Sequence, residues 1–197
     1  MKGAGGSFGI ATQMYFQTFA LPKDFVTYFS YKWTLNAQDS AHILFAFQSW
    51  SLHSDVPKEL GIEHAMRIGS QRETLTIIVT GSWYGAPAAF ENVINPLLAH
   101  YPSNCSQDVR VVSYLENLII QTYRGTLDTS QPDNPDSFYA KSLVAPEDHP
   151  MSFDAISKLT DLLVKSGSSD RIVSFVVMIL GFFVMLIHLC AALARCI

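Results

Sequence analysis

The spacing of apolar and polar positions changes several times along the chain, and each change predicts an element. Ile10 to Phe19 (IATQMYFQTF) and Asp24 to Leu35 (DFVTYFSYKWTL) are rich in β-branched and aromatic residues. They are parted by Leu21-Pro22-Lys23, which predicts two consecutive strands. From Gln38 to Leu52 the period becomes helical: Ile43, Leu44, Phe47 and Trp50 recur along one face, with Asp39 or Ser40 as the cap. His64 to Ser70 and Glu73 to Gly85 read as an antiparallel pair turning around Gln71-Arg72. Ala86 to Tyr101 predicts a helix that Pro96 kinks or divides. Beyond the mixed segment Gln107 to Ile120, the stretch Gly125 to Ser137 is dense in turn residues. Phe138 to Val144 is a short strand, and Ser152 caps a last helix over Phe153 to Val164.

This order of elements predicts an α+β fold, an antiparallel sheet covered by helices mainly on one face. The chain shows no internal repeat. Its end breaks the pattern: from Ile172 to Ala194 there is no Asp, Glu, Lys or Arg. As a helix rising about 1.5 Å per residue, that run reaches roughly 35 Å, enough for a hydrocarbon core of about 30 Å. It is apolar on every side, unlike a surface helix. Lys165 to Arg171 (KSGSSDR) reads as a flexible linker before it. The expectation is one C-terminal transmembrane helix over 172–194 and a single-pass membrane localisation, against a buried core helix as the alternative. Lys165 and Arg171 on one side and Arg195 on the other leave its orientation unset.

Composition narrows the function classes. Hydrophobic residues at 49% and charged residues at 15% of 197 positions describe a folding chain, not a disordered one. A net charge of −4 with 13 Lys and Arg gives no electrostatic footprint for nucleic acid. Cys105, Cys190 and Cys196 offer no zinc spacing and no disulfide within the body, so no metal site is expected. His42, His53 and His64 recur every eleven residues, but Pro57 and Gly61 interrupt any helix that would align them. Asn104-Cys105-Ser106 is an N-glycosylation acceptor sequence, relevant in a lumenal or secreted domain.

The first residues carry the richest chemistry. Gly5-Gly6-Ser7-Phe8-Gly9 fits G-x-S-x-G, but a nucleophile elbow needs a strand before it and a helix after it. Only four residues precede the motif and the following segment reads as strand, so Ser7 as a hydrolase nucleophile is the remote alternative. As a dinucleotide fingerprint the loop fails at Phe8, where glycine is required. Gly3, Gly5, Gly6 and Gly9 do permit close backbone approach to a ligand, having no Cβ in the way.

Gly3 to Pro22 (GAGGSFGIATQMYFQTFALP) resembles the G-x-G-x-x-F-G-[IV]-[VA]-T signature of FAD-linked oxidases with the vanillyl-alcohol-oxidase (PCMH) type of flavin domain. Within them it is most similar to the berberine-bridge-enzyme and glucooligosaccharide-oxidase branch. The run Tyr114 to Val144 (YLENLII, TLDTS and DSFYAKSLV) is similar to the part of the carbohydrate oxidases where a lid-like loop precedes a central strand. The resemblance covers residues 3 to 165. It implies that residues 1–12 close an FAD-binding domain, 13–165 form an α+β substrate domain and 166–171 are a linker. It assigns FAD contacts to Gly3, Gly5, Gly6, Ser7, Phe8, Gly9 and Ile10.

The implied reaction is oxidation of a hydroxyl-bearing oligosaccharide or alcohol, with hydride transfer to flavin and reoxidation by oxygen. Gln48, Tyr84, Tyr139 and Lys141, with Trp83, are the candidates for substrate contact, on the sheet face opposite the helices. Tyr28, Tyr31 and Trp33 have no spacing that assigns them individually. The family's flavin-bonding residues and catalytic tyrosine fall in segments this sequence does not match, so no catalytic residue is assigned. The chain is expected to be a fragment that binds FAD weakly or not at all. Complete relatives are typically secreted. The alternative from another class is a catalytically inert, membrane-anchored α+β binding domain.

Overall fold

The alternation in Phe25–Asn36 sets the whole architecture: Phe29, Tyr31 and Trp33 are buried along one face of this first strand, β1, while Lys32 and Thr34 are exposed on the other. A computed structural model of the chain describes residues 12–13, 15–18, 25–53, 55–122, 125–128, 130, 139–145, 148–165, 171–178 and 182–189. Among these residues seven strands form one sheet, joined by β2 (Leu60–Ile68), β3 (Thr74–Trp83), β4 (Ser106–Ser113), β5 (Tyr139–Ala145), β6 (Arg171–Met178) and β7 (Phe182–Leu189). The order across the sheet is β4-β1-β3-β2-β6-β7-β5, and all the pairings are antiparallel.

The helices start where capping chemistry allows. α1 (Ala37–His53) follows Asn36, whose Oδ1 accepts from the Asp39 N–H at 2.8 Å. The cap is therefore Asn36, and not Asp39 or Ser40 as the sequence suggests; Ser40 instead donates to the Asn36 carbonyl at 2.7 Å. α2 (Phe90–Leu98) runs through Pro96 undivided, after a 3-10 turn over Pro87–Ala89 that shortens the expected helix at its start. α3 (Tyr114–Gln121) begins at Ser113, whose Oγ accepts from the Glu116 N–H at 3.1 Å. That serine divides Gln107 to Ile120 into strand and helix. Ser152 caps α4 (Phe153–Lys165), as expected, by accepting from the Ala155 N–H at 3.2 Å.

The core lies between one sheet face and α1, α2 and α4. Phe29, Trp33, Met66, Leu75 and Ile77 of the sheet meet Leu44, Phe47, Ile94, Leu97 and Ile156 of the helices. Fully burying side chains of this size contributes about 1.5–3 kcal/mol each. Gly81 is required here for space: a Cβ would fall on the Gly61 carbonyl oxygen and 2.8 Å from Phe29 Cζ. The hairpin between β2 and β3 turns around Gln71-Arg72 as read from the sequence, with Glu73 taking a φ of 58°.

Two larger expectations are also corrected. The apolar run over 172–194 does not form a transmembrane helix: Arg171–Met178 and Phe182–Leu189 are strands, and no described helix is long and apolar enough to cross a membrane. The sheet therefore extends past residue 165, and Arg171 belongs to a strand and not to a linker. A continuously apolar run has no period that separates a spanning helix from adjacent strands. Val173, Val176, Val177, Val184 and Ile187 favour the strand, and β6 gives β2 the second ladder it would otherwise lack. The strand expected over 10–19 is also absent at its described positions, 12–13 and 15–18, where Tyr15 is 88% and Phe16 80% exposed. β-propensity holds a strand only where a ladder or a packed face receives it.

Candidate functional site on the open face of the sheet

The strand register sorts the polar residues onto the face opposite α1, α2 and α4. One row across the sheet reads Arg110, Tyr28, Ser82, Gly61; the next reads Asp108, Ser30, Thr80, Glu63. Because side chains alternate with a period of two, all eight positions share one face. Arg110 lies with its guanidinium carbon 5.5 Å from the centroid of the Tyr28 ring and its Nε 2.9 Å from Asp108 Oδ1. Both partners of that ion pair are half-exposed, so it orients the Tyr28 ring more than it stabilises the fold.

α3 is the one described helix that packs on this face, over β1 and β4. It is fastened through Ser82, whose Oγ donates to Asn117 Oδ1 and accepts from Gln121 Nε2, both at 2.9 Å. Ser82 and Asn117 are buried, so the bonds are made in a water-poor setting where leaving either group unmade is costly. Asn117 Nδ2 is buried without an acceptor among the described residues. The i, i+4 spacing of Asn117 and Gln121 puts both amides on the side of α3 that meets β3.

Between the end of α3 and strands β1–β3 lies a pocket of about 450 Å³, lined chiefly by Tyr28, Glu63, Thr80, Ser82, Tyr84 and Gln121. Hydroxyls, a carboxamide and one carboxylate supply donors and acceptors in turn, and two tyrosines supply apolar ring faces. That set suits a neutral, polyhydroxylated molecule. It does not suit a pyrophosphate: Glu63 is the charged residue in the lining, and its sign repels one. The pocket does not fit the phosphate portion of a flavin dinucleotide. No group of three His, Cys, Asp or Glu able to hold a metal occurs among the described residues.

The strongly shifted ionisable groups lie on the covered side. Burial holds the His64 imidazole neutral, its pKa lowered to about 3, with the rings of Phe47 at 5.1 Å and Tyr101 at 6.2 Å. Burial likewise pushes the hydroxyl of Tyr101 well above its usual pKa and that of Tyr31 upward. These shifts come from desolvation in the core and mark no acid–base pair on the open face.

Of the substrate candidates read from the sequence whose side chains are described, Tyr84 lines the pocket, with its ring 6.3 Å from that of Tyr114, and Gln48 and Trp83 do not. Gln48 is 2% exposed on α1, on the covered side, and its amide bonds both backbone groups of Met151: Nε2 donates to the carbonyl at 2.9 Å and Oε1 accepts from the N–H at 3.0 Å. Trp83 is a core residue whose Nε1 donates to the Ala86 carbonyl at 2.9 Å. Tyr139 and Lys141 lie on β5; the register runs from Lys141 through Ile187 and Val173 to Met66, not to Glu63. Gly3, Gly5, Gly6, Ser7, Phe8, Gly9 and Ile10 lie outside the described residues. The sequence reading missed Glu63, Thr80, Ser82, Gln121 and Asn117. The alternation of Thr76, Thr80 and Ser82 against Ile77, Val79 and Trp83 was the signal available for the strand members.

No family model matches the chain. Xylooligosaccharide oxidase of Thermothelomyces thermophilus is 29% identical over 175 residues, which is 87% of this chain and 33% of that protein. Among solved structures, the BBE-like 1 protein of Physcomitrella patens superposes with a TM-score of 0.68 at 16% identity, covering 86% of this chain and 39% of that one. The xylooligosaccharide oxidase from Myceliophthora thermophila C1, in complex with xylobiose, superposes with a TM-score of 0.66 at 19% identity, covering 88% and 41%. The chain thus spans about a third of the length of its curated relative. Over that part of their length the chain is similar in sequence to an oligosaccharide oxidase and similar in fold to berberine-bridge-enzyme-like FAD-linked oxidases.

Proposed function

We propose that this chain is the carbohydrate-holding part of an FAD-dependent oligosaccharide oxidase. The observation that carries this reading is the pocket on the open sheet face, where Glu63, Thr80, Ser82 and Gln121 converge between Tyr28 and Tyr84. A sugar hydroxyl donates to the Glu63 carboxylate, another donates to Thr80 Oγ1, whose own proton goes to the Phe29 carbonyl at 3.0 Å, others bond the Gln121 amide, and the C–H face of the ring lies against tyrosine. Ser82 acts from below, as the buried post to which α3 is tied. The similarity to oxidases of xylooligosaccharides supports an oligosaccharide over a simple alcohol.

FAD contacts are proposed for Gly3, Gly5, Gly6, Ser7, Phe8, Gly9 and Ile10, and residues 1–12 as the closing part of a flavin-binding portion. When bound, FAD supplies the acceptor for a hydride leaving a hydroxyl-bearing carbon. The residues of this chain hold and orient the sugar, and none is proposed as catalytic. One loop with three or four backbone donors, each worth about 0.5–1.5 kcal/mol net, does not offset an association cost of about 4–15 kcal/mol. The purified chain is therefore expected to carry little flavin, read as absorbance in the visible.

The test is titration of the full chain with xylobiose and longer xylo-oligosaccharides, followed by amide chemical shifts. Shifts are expected in β1, β3 and the end of α3, with millimolar affinity lost in Tyr28→Ala and Glu63→Gln. Saturable binding unaffected by both substitutions places the sugar elsewhere. No saturation by any oligosaccharide overturns the reading.

A further inference from the structure

We propose that Asn104 is the attachment site of an N-linked glycan in the secretory pathway, and that this glycan guards the open edge of the sheet. Of the six asparagines in the chain, Asn104 alone has Ser or Thr two residues on, with Cys105 and not proline between. The structure adds what the motif lacks. Asn104 is exposed in an irregular stretch between α2 and β4, and the chain on either side is held. Upstream, the Pro102 carbonyl accepts from Trp33 Nε1 at 2.8 Å. Downstream, Ser106 opens β4 opposite Lys32. A glycan on Asn104 therefore stands at a fixed place and displaces no packed side chain, since Ser103 and Ser106 are exposed as well.

That place is two residues from the start of β4, the last strand in the sheet order, which pairs with β1 and with no other described strand. Val109 is 42%, Val111 55% and the adjacent Phe25 59% exposed. An edge with exposed apolar side chains and unpaired backbone groups is a template for another strand, and proteins cover such edges. A bulky hydrophilic chain at its end blocks that approach. In the transfer, the Asn104 amide nitrogen forms a bond to the anomeric carbon of a lipid-pyrophosphate-linked oligosaccharide. The bond from that carbon to the phosphate oxygen breaks, the lipid pyrophosphate leaves with the electron pair, and the amide loses a proton to the transferase.

The experiment translates the full chain behind a cleavable leader in the presence of microsomes and scores the protease-protected molecules. The expected result is one glycan, removed by peptide N-glycosidase and absent in both Asn104→Gln and Ser106→Ala. Arg72→Asn, which completes an acceptor sequence with Glu73 and Thr74 at the exposed hairpin, serves as the reference site. Modification of that variant at residue 72 but not at 104 overturns the assignment. The guarding role is read by sedimentation of the glycosylated chain against Asn104→Gln. The unglycosylated variant should self-associate at several-fold lower concentration, and adding Val111→Lys should reverse this. Equal sedimentation with and without the glycan removes the guarding role.

Discussion

Replacing Gln48 by alanine separates a structural role from a ligand-binding one. Gln48 was a substrate candidate from its sequence, but its amide bridges α1 to Met151, 103 positions away, through two hydrogen bonds of 2.9 and 3.0 Å. Gln48→Ala leaves the Met151 N–H and carbonyl without these partners in a part-buried site. Each such group costs about 1–3 kcal/mol when left unmade; at the lower end, with the volume lost between α1 and Met151, the total is about 2–4 kcal/mol. For a chain of this size that lowers the melting temperature by roughly 5–15 °C. Gln48→Met, which fills the space without the bonds, should recover less than half. The assay is urea unfolding followed by tryptophan fluorescence, paired with hydrogen exchange. Protection should fall first at the start of α4, because the Ile156 N–H bonds the Ser152 carbonyl one residue beyond the broken bridge. Xylobiose affinity, scaled to the folded fraction, should be unchanged. A stability change under about 0.5 kcal/mol, or loss of sugar binding at unchanged stability, would refute the clamp.

Other positions give equally direct readings. His64 is neutral in the folded state with its pKa lowered to about 3 from 6.5, so the unfolded chain takes up a proton below pH 6.5 that the native chain excludes. Stability therefore falls with acid from pH 6.5 toward 3, by about 2 kcal/mol at pH 5, and His64→Leu should flatten that part of the pH profile; an unchanged slope contradicts the burial. Gly81→Ala sets a methyl against the Gly61 carbonyl and Phe29, and should cost at least about 2 kcal/mol, visible as loss of folded protein on expression; a variant as stable as the parent would show that the two strands can part freely. Val184→Pro removes a ladder donor and strains a strand paired on both sides, opposite Val176 and Val144. It should unfold the sheet cooperatively, whereas an independent membrane tail would leave the melting of the remaining body unchanged.

The sequence was informative wherever one face of an element meets water. The β-branched and aromatic run of β1, the pair turning at Gln71-Arg72 and the 3.6-residue period of α1 announced a sheet with helices mainly on one side, because each element had a wet face to contrast with a dry one. Ser152 and the turn at Gln71-Arg72 were legible for a related reason, since their chemistry acts within a few residues. Asn36 was overlooked although its capping is equally local, because Asp39 and Ser40 compete for the same role in the sequence. Where both neighbours are apolar the contrast disappears. Ile172 to Ala194 has no period, and whether it stands as a helix or adds strands depends on β2 offering an unpaired edge to β6.

By itself, then, the amino-acid order determined the class of fold, the oxidase-like glycine signature and the acidic net charge. Tertiary structure decided what Gln48 does, since a bridge between residues 48 and 151 has no local signature. It also assembled the pocket: Tyr28, Glu63, Ser82 and Gln121 come from four elements and share a wall because antiparallel register sets β1, β2 and β3 in phase. The β1–β3 ladder fixes that phase between positions as far apart as Thr27 and Trp83, at distances where side-chain periodicity carries no information.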